Sequence, residues 1–175
     1  MKQRIVIDTN IWIKAIIDSE YSVECDDALN HFFQNKDFIL GLDYNGEIER
    51  EYRDNIRNNR RFELRMKQLE REQRKCWVNS GLIQKQEKDL YKLGFQEKED
   101  HIFVGTAMNA DKILVTEDSD YGVHGEVEYQ KVYTYMKDEM GLVVFTGHKF
   151  LNCKESNSWN PVQAKIPALP GFQEF

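Results

Sequence analysis

Five acids stand where apolar runs meet helical stretches. Asp8 closes the run from Gln3 to Ile7, Asp118 and Asp120 follow the run from Lys112 to Thr116, Asp100 opens a helical stretch just before that run, and Glu51 lies in a charged helical stretch. Carboxylates brought into one crevice repel each other and stay ionised only beside a counter-charge. A hard divalent cation with oxygen ligands supplies it, and Mg²⁺ or Mn²⁺ suits this set better than zinc because no Cys or His cluster accompanies the acids. Each acid alone has an ordinary explanation. Asp8 and Asp100 precede or open helices, where Asp is a common cap; Glu117, Asp118 and Asp120 suit an acidic turn; Glu47, Glu49 and Glu51 suit a solvated helix face. The joint pattern favours a site.

The elements that must position these acids read as an alternation. Gln3 to Ile7, Asp37 to Leu42, Lys112 to Thr116 and Leu142 to Phe145 are short, continuous apolar runs, as expected of strands covered on both faces. Between them, Ile11 to Ile17, a segment after the cap Ser22 carrying Ala28, Leu29, Phe32 and Phe33, and Asp100 to Ala110 show helical spacing. Leu82 to Leu93 adds a helix ended by Gly94. Asn45 to Trp77 lacks Pro and is rich in helix formers, so it predicts one long helix or a helical hairpin. This order predicts an α/β fold: a three-layer α/β/α domain around a central, mainly parallel sheet of four or five strands, with right-handed crossovers. Ligands of such sheets bind beyond the carboxyl ends of the strands, where Asp8 and Asp118 would meet if their strands are neighbours.

Ile5-Val6-Ile7-Asp8-Thr9-Asn10, the helix carrying Glu51-Tyr52, Glu99-Asp100-His101-Ile102-Phe103-Val104, and Ile113-Leu114-Val115-Thr116-Glu117-Asp118-Ser119-Asp120-Tyr121 together resemble the PIN domain, over about residues 3 to 151. Val143-Val144-Phe145-Thr146 and Phe150-Leu151 resemble that family's last strand and short closing helix. The resemblance implies a metal-dependent endonuclease, most often a ribonuclease acting on single-stranded RNA. It makes Asp8, Glu51, Asp100 and Asp118 the catalytic acids, Asp8, Asp100, Asp118 and Asp120 the ligands of Mg²⁺ or Mn²⁺, and Asn10 and Thr116 their supports. Glu51 aligns best as the second acid, with Glu47 one turn earlier as the alternative. The implied chemistry is in-line attack of water on a phosphodiester phosphorus, aided by one or two ions and needing no side-chain nucleophile. His101 adjoins Asp100 and is a candidate proton carrier, although sequence neighbours on a helix point apart. Compact relatives are often toxins held by an antitoxin, so an inhibitory protein partner is implied as an option, and a homodimer is left open. The long basic segment after Tyr52 and the proline-containing tail depart from compact members, and they bear on substrate and partners.

The formal charge of the chain is -6, yet from Arg50 to Lys75 the bases outnumber the acids by five, leaving -11 for the remainder. Arg53, Arg57, Arg60 and Arg61 recur at helical steps and are candidates for tracking nucleic-acid phosphates, with Tyr52 and Phe62 as candidate stacking surfaces. The competing reading is a solvated helix laced with Glu to Arg pairs.

The length of 175 residues suits one domain, taken as residues 1–151 with the helical segment 45–77 inside it, followed by an irregular tail at 152–175 that holds all three prolines. Trp159, Phe172 and Phe175 are candidates for pinning that tail to the body. No apolar run approaches the roughly 20 residues that span a bilayer, and the start lacks the pattern of a signal peptide, so a cytoplasmic protein with no membrane partner is the expectation. Cys25, Cys76 and Cys153 are too widely spaced to suggest disulfides or zinc. Rival functions are a DNA or structure-selective nuclease with the same acids, a noncatalytic nucleic-acid-binding module, and a phosphoryl-transfer fold with Asp8 as nucleophile; Asn10, where a phosphatase of that kind has an acid, disfavours the last.

Overall fold

A computed structural model describes residues 2–152 of the chain. Five strands form one parallel sheet: β1 (Gln3–Ile7), β2 (Phe38–Asp43), β3 (Lys75–Val78), β4 (Ile113–Val115) and β5 (Val143–Phe145), in the order β3-β2-β1-β4-β5. Ile5, Val6, Ile7, Leu40, Leu114 and Val115 are all buried, which explains why β1 and β4 read as continuous apolar runs. The chain builds outward from β1 to β3, then returns to build β4 and β5 on β1's other side. Because crossovers are right-handed, this reversal sends the two sets of connecting helices to opposite faces and makes a three-layer α/β/α domain. The gap between the ends of β1 and β4 is therefore the sheet's switch point.

Helices α1 (Thr9–Ile16), α2 (Val23–Gln34), α3 (Glu47–Asn55) and α4 (Arg60–Arg71) serve the first half. Trp12 of α1 meets Phe33, Tyr52 and Phe62 from α2, α3 and α4, with ring centroids 5.4 to 5.9 Å apart, so one indole joins four helices. Ser22 caps α2 by accepting from the Cys25 amide, as its place before the helical spacing predicts. Helices α5 (Gln84–Lys92) and α6 (Lys98–Asn109) precede β4, and α6 packs across β1, β2 and β4. A Cβ on Gly105 of α6 would stand 1.8 Å from the Ser80 carbonyl oxygen, so only glycine lets the loop after β3 lie against this helix. Short helices α7 (Gln130–Thr134) and α8 (Gly147–Asn152) complete the described chain. No helix among the described residues is long and apolar enough to cross a membrane. The irregular tail and its three aromatic pins, Trp159, Phe172 and Phe175, lie outside the described residues, as does Cys153.

The segment 45–77 is a helical hairpin rather than one long helix, and its last residues belong to the sheet. Asn58 has a positive φ of 57° and Asn59 caps α4 through the amides of Arg61 and Phe62, which divides the helices. Gln73, at φ 52°, ends α4 in the left-handed conformation where Gly or Asn is usual, so the helix stop was not legible. Lys75, opening edge strand β3, is buried by ion pairs to Glu49 and Glu70, so a charged residue occupies a place where an apolar one would have announced a strand.

Arg74, counted above among the bases, is structural. Its guanidinium is buried and donates to the carbonyls of Phe32, Phe33, Asn35 and Phe38 and to Glu72, tying the end of α2 to the start of β3. Arg74→Leu should leave those carbonyls without a donor and lower unfolding free energy by about 3 kcal/mol or more. Urea denaturation checks this; a change below about 1 kcal/mol would mean that the carbonyls find other donors.

Candidate active site

Asp8 follows the last residue of β1 and is only 5% exposed. Its amide continues the ladder to the Val115 carbonyl at 2.9 Å, which ties it to the end of β4. Thr116 Oγ donates to Asp8 Oδ2 at 2.6 Å and Asn10 Nδ2 donates to the same oxygen at 3.0 Å. Asn10 Oδ1 accepts from the Glu117 amide at 3.0 Å, and Thr116 Oγ accepts from the Asp118 amide at 3.0 Å. Asn10 and Thr116 therefore hold the start of α1 and the loop after β4 around one carboxylate. Asp8 also caps α1, accepting from the Asn10 amide at 3.5 Å. The cap and the site are one residue in two roles.

Asp118 Oδ1 accepts from the Asp120 amide at 2.9 Å, capping the turn Ser119–Tyr121. That turn buries Tyr121 and directs its hydroxyl to Asp100 Oδ1 at 3.3 Å. Asp100 lies in the first turn of α6. Glu51 arrives from α3, where the buried Tyr52 beside it donates its hydroxyl to the Ile7 carbonyl, anchoring the helix one residue before Asp8. Thr9 Oγ then donates to Glu51 Oε1 at 2.6 Å. Glu47, one turn earlier, has its amide capped by the buried Asp43 carboxylate, and it lines one depression together with Glu51 and a second cavity together with His101. Of the two candidates, Glu51 is the acid placed beside Asp8. Thr9, Asp43 and Tyr121 were not singled out from sequence, although Thr9 and Tyr121 lie inside the resembling segments.

The acids feel one another. Burial pushes Asp8 up to about 7, reinforced by the charges of Asp118 and Glu51 and opposed by the Thr116 hydrogen bond. Asp100 is pushed up to about 8 by burial and then by Asp8, Asp118 and Asp120. Burial also raises Glu51, with Glu99 as its neighbouring charge and the Thr9 bond opposing. Among the described residues no three His, Cys, Asp or Glu side chains converge tightly enough to hold an ion as they stand. The donors are all oxygen, which fits Mg²⁺ or Mn²⁺, with Asp8, Asp100 and Asp118 as the residues that would hold it and Asp120 at the margin.

The arginines are largely engaged within the protein. Arg53 pairs with Glu49 and Glu63, Arg57 with Asp54, and Arg61 with Asp26 and the Ala15 carbonyl. Arg60 is exposed. Tyr52 and Phe62 are buried in the core and offer no stacking surface. His101 is buried against Tyr91 and Phe95, with Nε2 at 2.8 Å from the Phe95 carbonyl.

Comparison with protein-family models, curated proteins and solved structures finds no match to the chain.

The raised carboxyls make a pH prediction. Asp8 and Asp100 ionise near 4 in an unfolded chain but near 7 and 8 in the fold, so between these limits the native state binds more protons and stability falls as pH rises. In EDTA, Tm should decline from about pH 5 to pH 8, and Asp100→Asn should flatten the decline while raising Tm at pH 8. A flat wild-type profile, or a variant less stable than wild type at pH 8, would contradict the crowding.

Proposed function

We propose that this protein is a metal-dependent nuclease that hydrolyses phosphodiester bonds, with single-stranded RNA as the favoured substrate. The observation that carries the reading is the electrostatic coupling of Asp8, Asp100 and Asp118 at the switch point of a parallel sheet, two of them held well above the usual carboxylate range. Crowding of this kind is costly to a fold and marks sites kept for function. The resemblance of the same segments to PIN domains supports the reading and supplies the preference for RNA. Cytoplasmic residence and an inhibitory protein partner belong to the same proposal.

A hard divalent ion held by these acids would acidify a water and offset negative charge developing on the phosphate. The protein's own part is positioning. Thr116 and Asn10 fix Asp8 through Oδ2, Tyr121 fixes Asp100 through Oδ1, and the Asp120 amide occupies Asp118 Oδ1. Thr9 holds one oxygen of Glu51, leaving the other to orient a water or an ion. None of these groups has to act as a nucleophile. Because Arg53, Arg57 and Arg61 already have acidic partners, phosphate tracking by this face would require exchanging internal ion pairs for phosphate contacts, and Arg60 is the member of the set best placed to contribute without that exchange.

Purified protein should cleave a labelled single-stranded RNA in Mg²⁺ or Mn²⁺, stop in EDTA, and resume when the metal is restored. Asp8→Asn should reduce the rate to background without unfolding, since Asn retains one acceptor for Thr116. Cleavage surviving both chelation and Asp8→Asn would overturn the carboxylate mechanism, and cleavage of DNA alone would reassign the substrate.

A further inference from the structure

Spacing in the sequence offered Tyr52 and Phe62 as stacking surfaces, and both are buried in the core. Among the described residues three aromatics stand well out of the fold instead: Tyr44 at 71% exposure, Tyr21 at 48% and Trp77 at 46%. The Tyr21 hydroxyl is engaged, donating to Asp26. The side chains of Tyr44 and Trp77 have no hydrogen bond or ring contact among the described residues. Strand pairing fixes where these two stand. The register that sets Ile5 of β1 opposite Leu40 of β2 continues to set Asp43 opposite Asp8. Tyr44 is the next residue, and its amide donates to the Val78 carbonyl of β3 at 3.0 Å, which holds its backbone at the carboxyl edge of the sheet. Trp77 of β3 lies opposite Leu42. Residues two apart on a strand share a face, so Leu42, Tyr44 and Trp77 belong to one face of the sheet, that on which Lys75 meets Glu49 of α3. Helix α3 on this face also carries Glu51. Neighbouring strands are about 4.8 Å apart, so the two aromatics start one and two such spacings from the strand that ends at Asp8.

Their surroundings decide what they suit. Asn45 and Asn79, close to them along the chain, are polar and exposed, and the two rings are not in contact, so this edge lacks the continuous apolar patch that a protein partner covers. Separate aromatic faces on a polar edge suit the bases of an unpaired strand, each base stacking on its own ring while the backbone stays in water. We propose that Tyr44 and Trp77 are base-stacking platforms for a single-stranded nucleic acid, with Tyr44 taking the base nearer the acids. That the strand lies there to be cut rests on the nuclease reading.

Equilibrium binding of a labelled, noncleavable single-stranded RNA to the full chain tests this. Tyr44→Leu and Trp77→Leu keep an apolar side chain but remove the flat ring, and each should weaken binding about fivefold or more, the lower end of what one stacked base contributes. Tyr44→Phe and Trp77→Phe should restore it. The slope of log affinity against log salt should stay unchanged, because the rings meet bases and not phosphates. An abasic strand of equal length and charge should bind wild type no better than it binds the leucine variants. Wild-type affinity in both leucine variants, phenylalanine variants as weak as the leucine ones, a flattened salt slope, an abasic strand held as tightly as the normal one, or no detectable binding would overturn the proposal. RNA cleavage by Tyr44→Leu/Trp77→Leu at the wild-type KM would leave the nuclease reading and remove the platforms, whereas base-dependent binding by a protein that cleaves no nucleic acid would do the reverse.

Discussion

Like charges crowded at the diverging ends of β1 and β4 are the constraint around which the described structure is arranged. Asp8 and Asp118 are carried to that edge by adjacent parallel strands, and Asp100 is brought over it by the first turn of α6. Nothing in protein folding rewards that arrangement by itself. Burial and mutual repulsion raise Asp8 and Asp100, and the fold tolerates them because the core beneath is continuous from Ile5 to Val144. Ordinary structural acids behave differently: Glu72, beside Lys36 and Arg74, is held down at about 2.

Around this edge the supporting contacts divide into two kinds. Hydrogen bonds from Thr116, Asn10, Thr9 and Tyr121 fix individual carboxylate oxygens, while buried aromatics fix the elements that carry them. Tyr52 anchors its helix twice, since its ring packs on Trp12 and Phe62 while its hydroxyl holds the Ile7 carbonyl. The glycine contact between Gly105 and Ser80 sets the neighbouring loop against α6 and so bounds the cavity lined by Glu47 and His101. Site and cavity thus depend on the same helix.

Much of this was legible from residues alone because buried parallel strands announce themselves as unbroken apolar runs, as β1 and β4 do. Adjacent strands then bring Asp8 and Asp118 together by topology, without any knowledge of side-chain detail. What escaped the sequence is instructive in physical terms. Edge strand β3 begins with a lysine buried by ion pairs and ends a segment of strong helix formers, so neither period nor composition marks it. The short helix α7 has too few residues for a helical period to register. The arginine face was visible as spacing, and its pairs with Glu49 and Asp54 are the local pairs that the competing reading expects, but the pairs of Arg53 with Glu63 and of Arg61 with Asp26 on α2 join separate helices. That Glu51 lies against Thr9 likewise depends on Tyr52's anchor to Ile7, a contact between elements.

The most direct test of the central claim, that these acids are gathered to hold a divalent cation, is calorimetric titration of Mn²⁺ or Mg²⁺ into the metal-free protein at pH 7. Two buffers of different ionisation enthalpy would report protons exchanged on binding. The account predicts saturable binding with release of protons, because a cation must displace those retained by Asp8 and Asp100, carboxyls raised to about 7 and 8. It also predicts weaker binding in Asp8→Asn and less proton release in Asp100→Asn. Absence of saturable binding, or binding indifferent to both substitutions and to buffer, would contradict it.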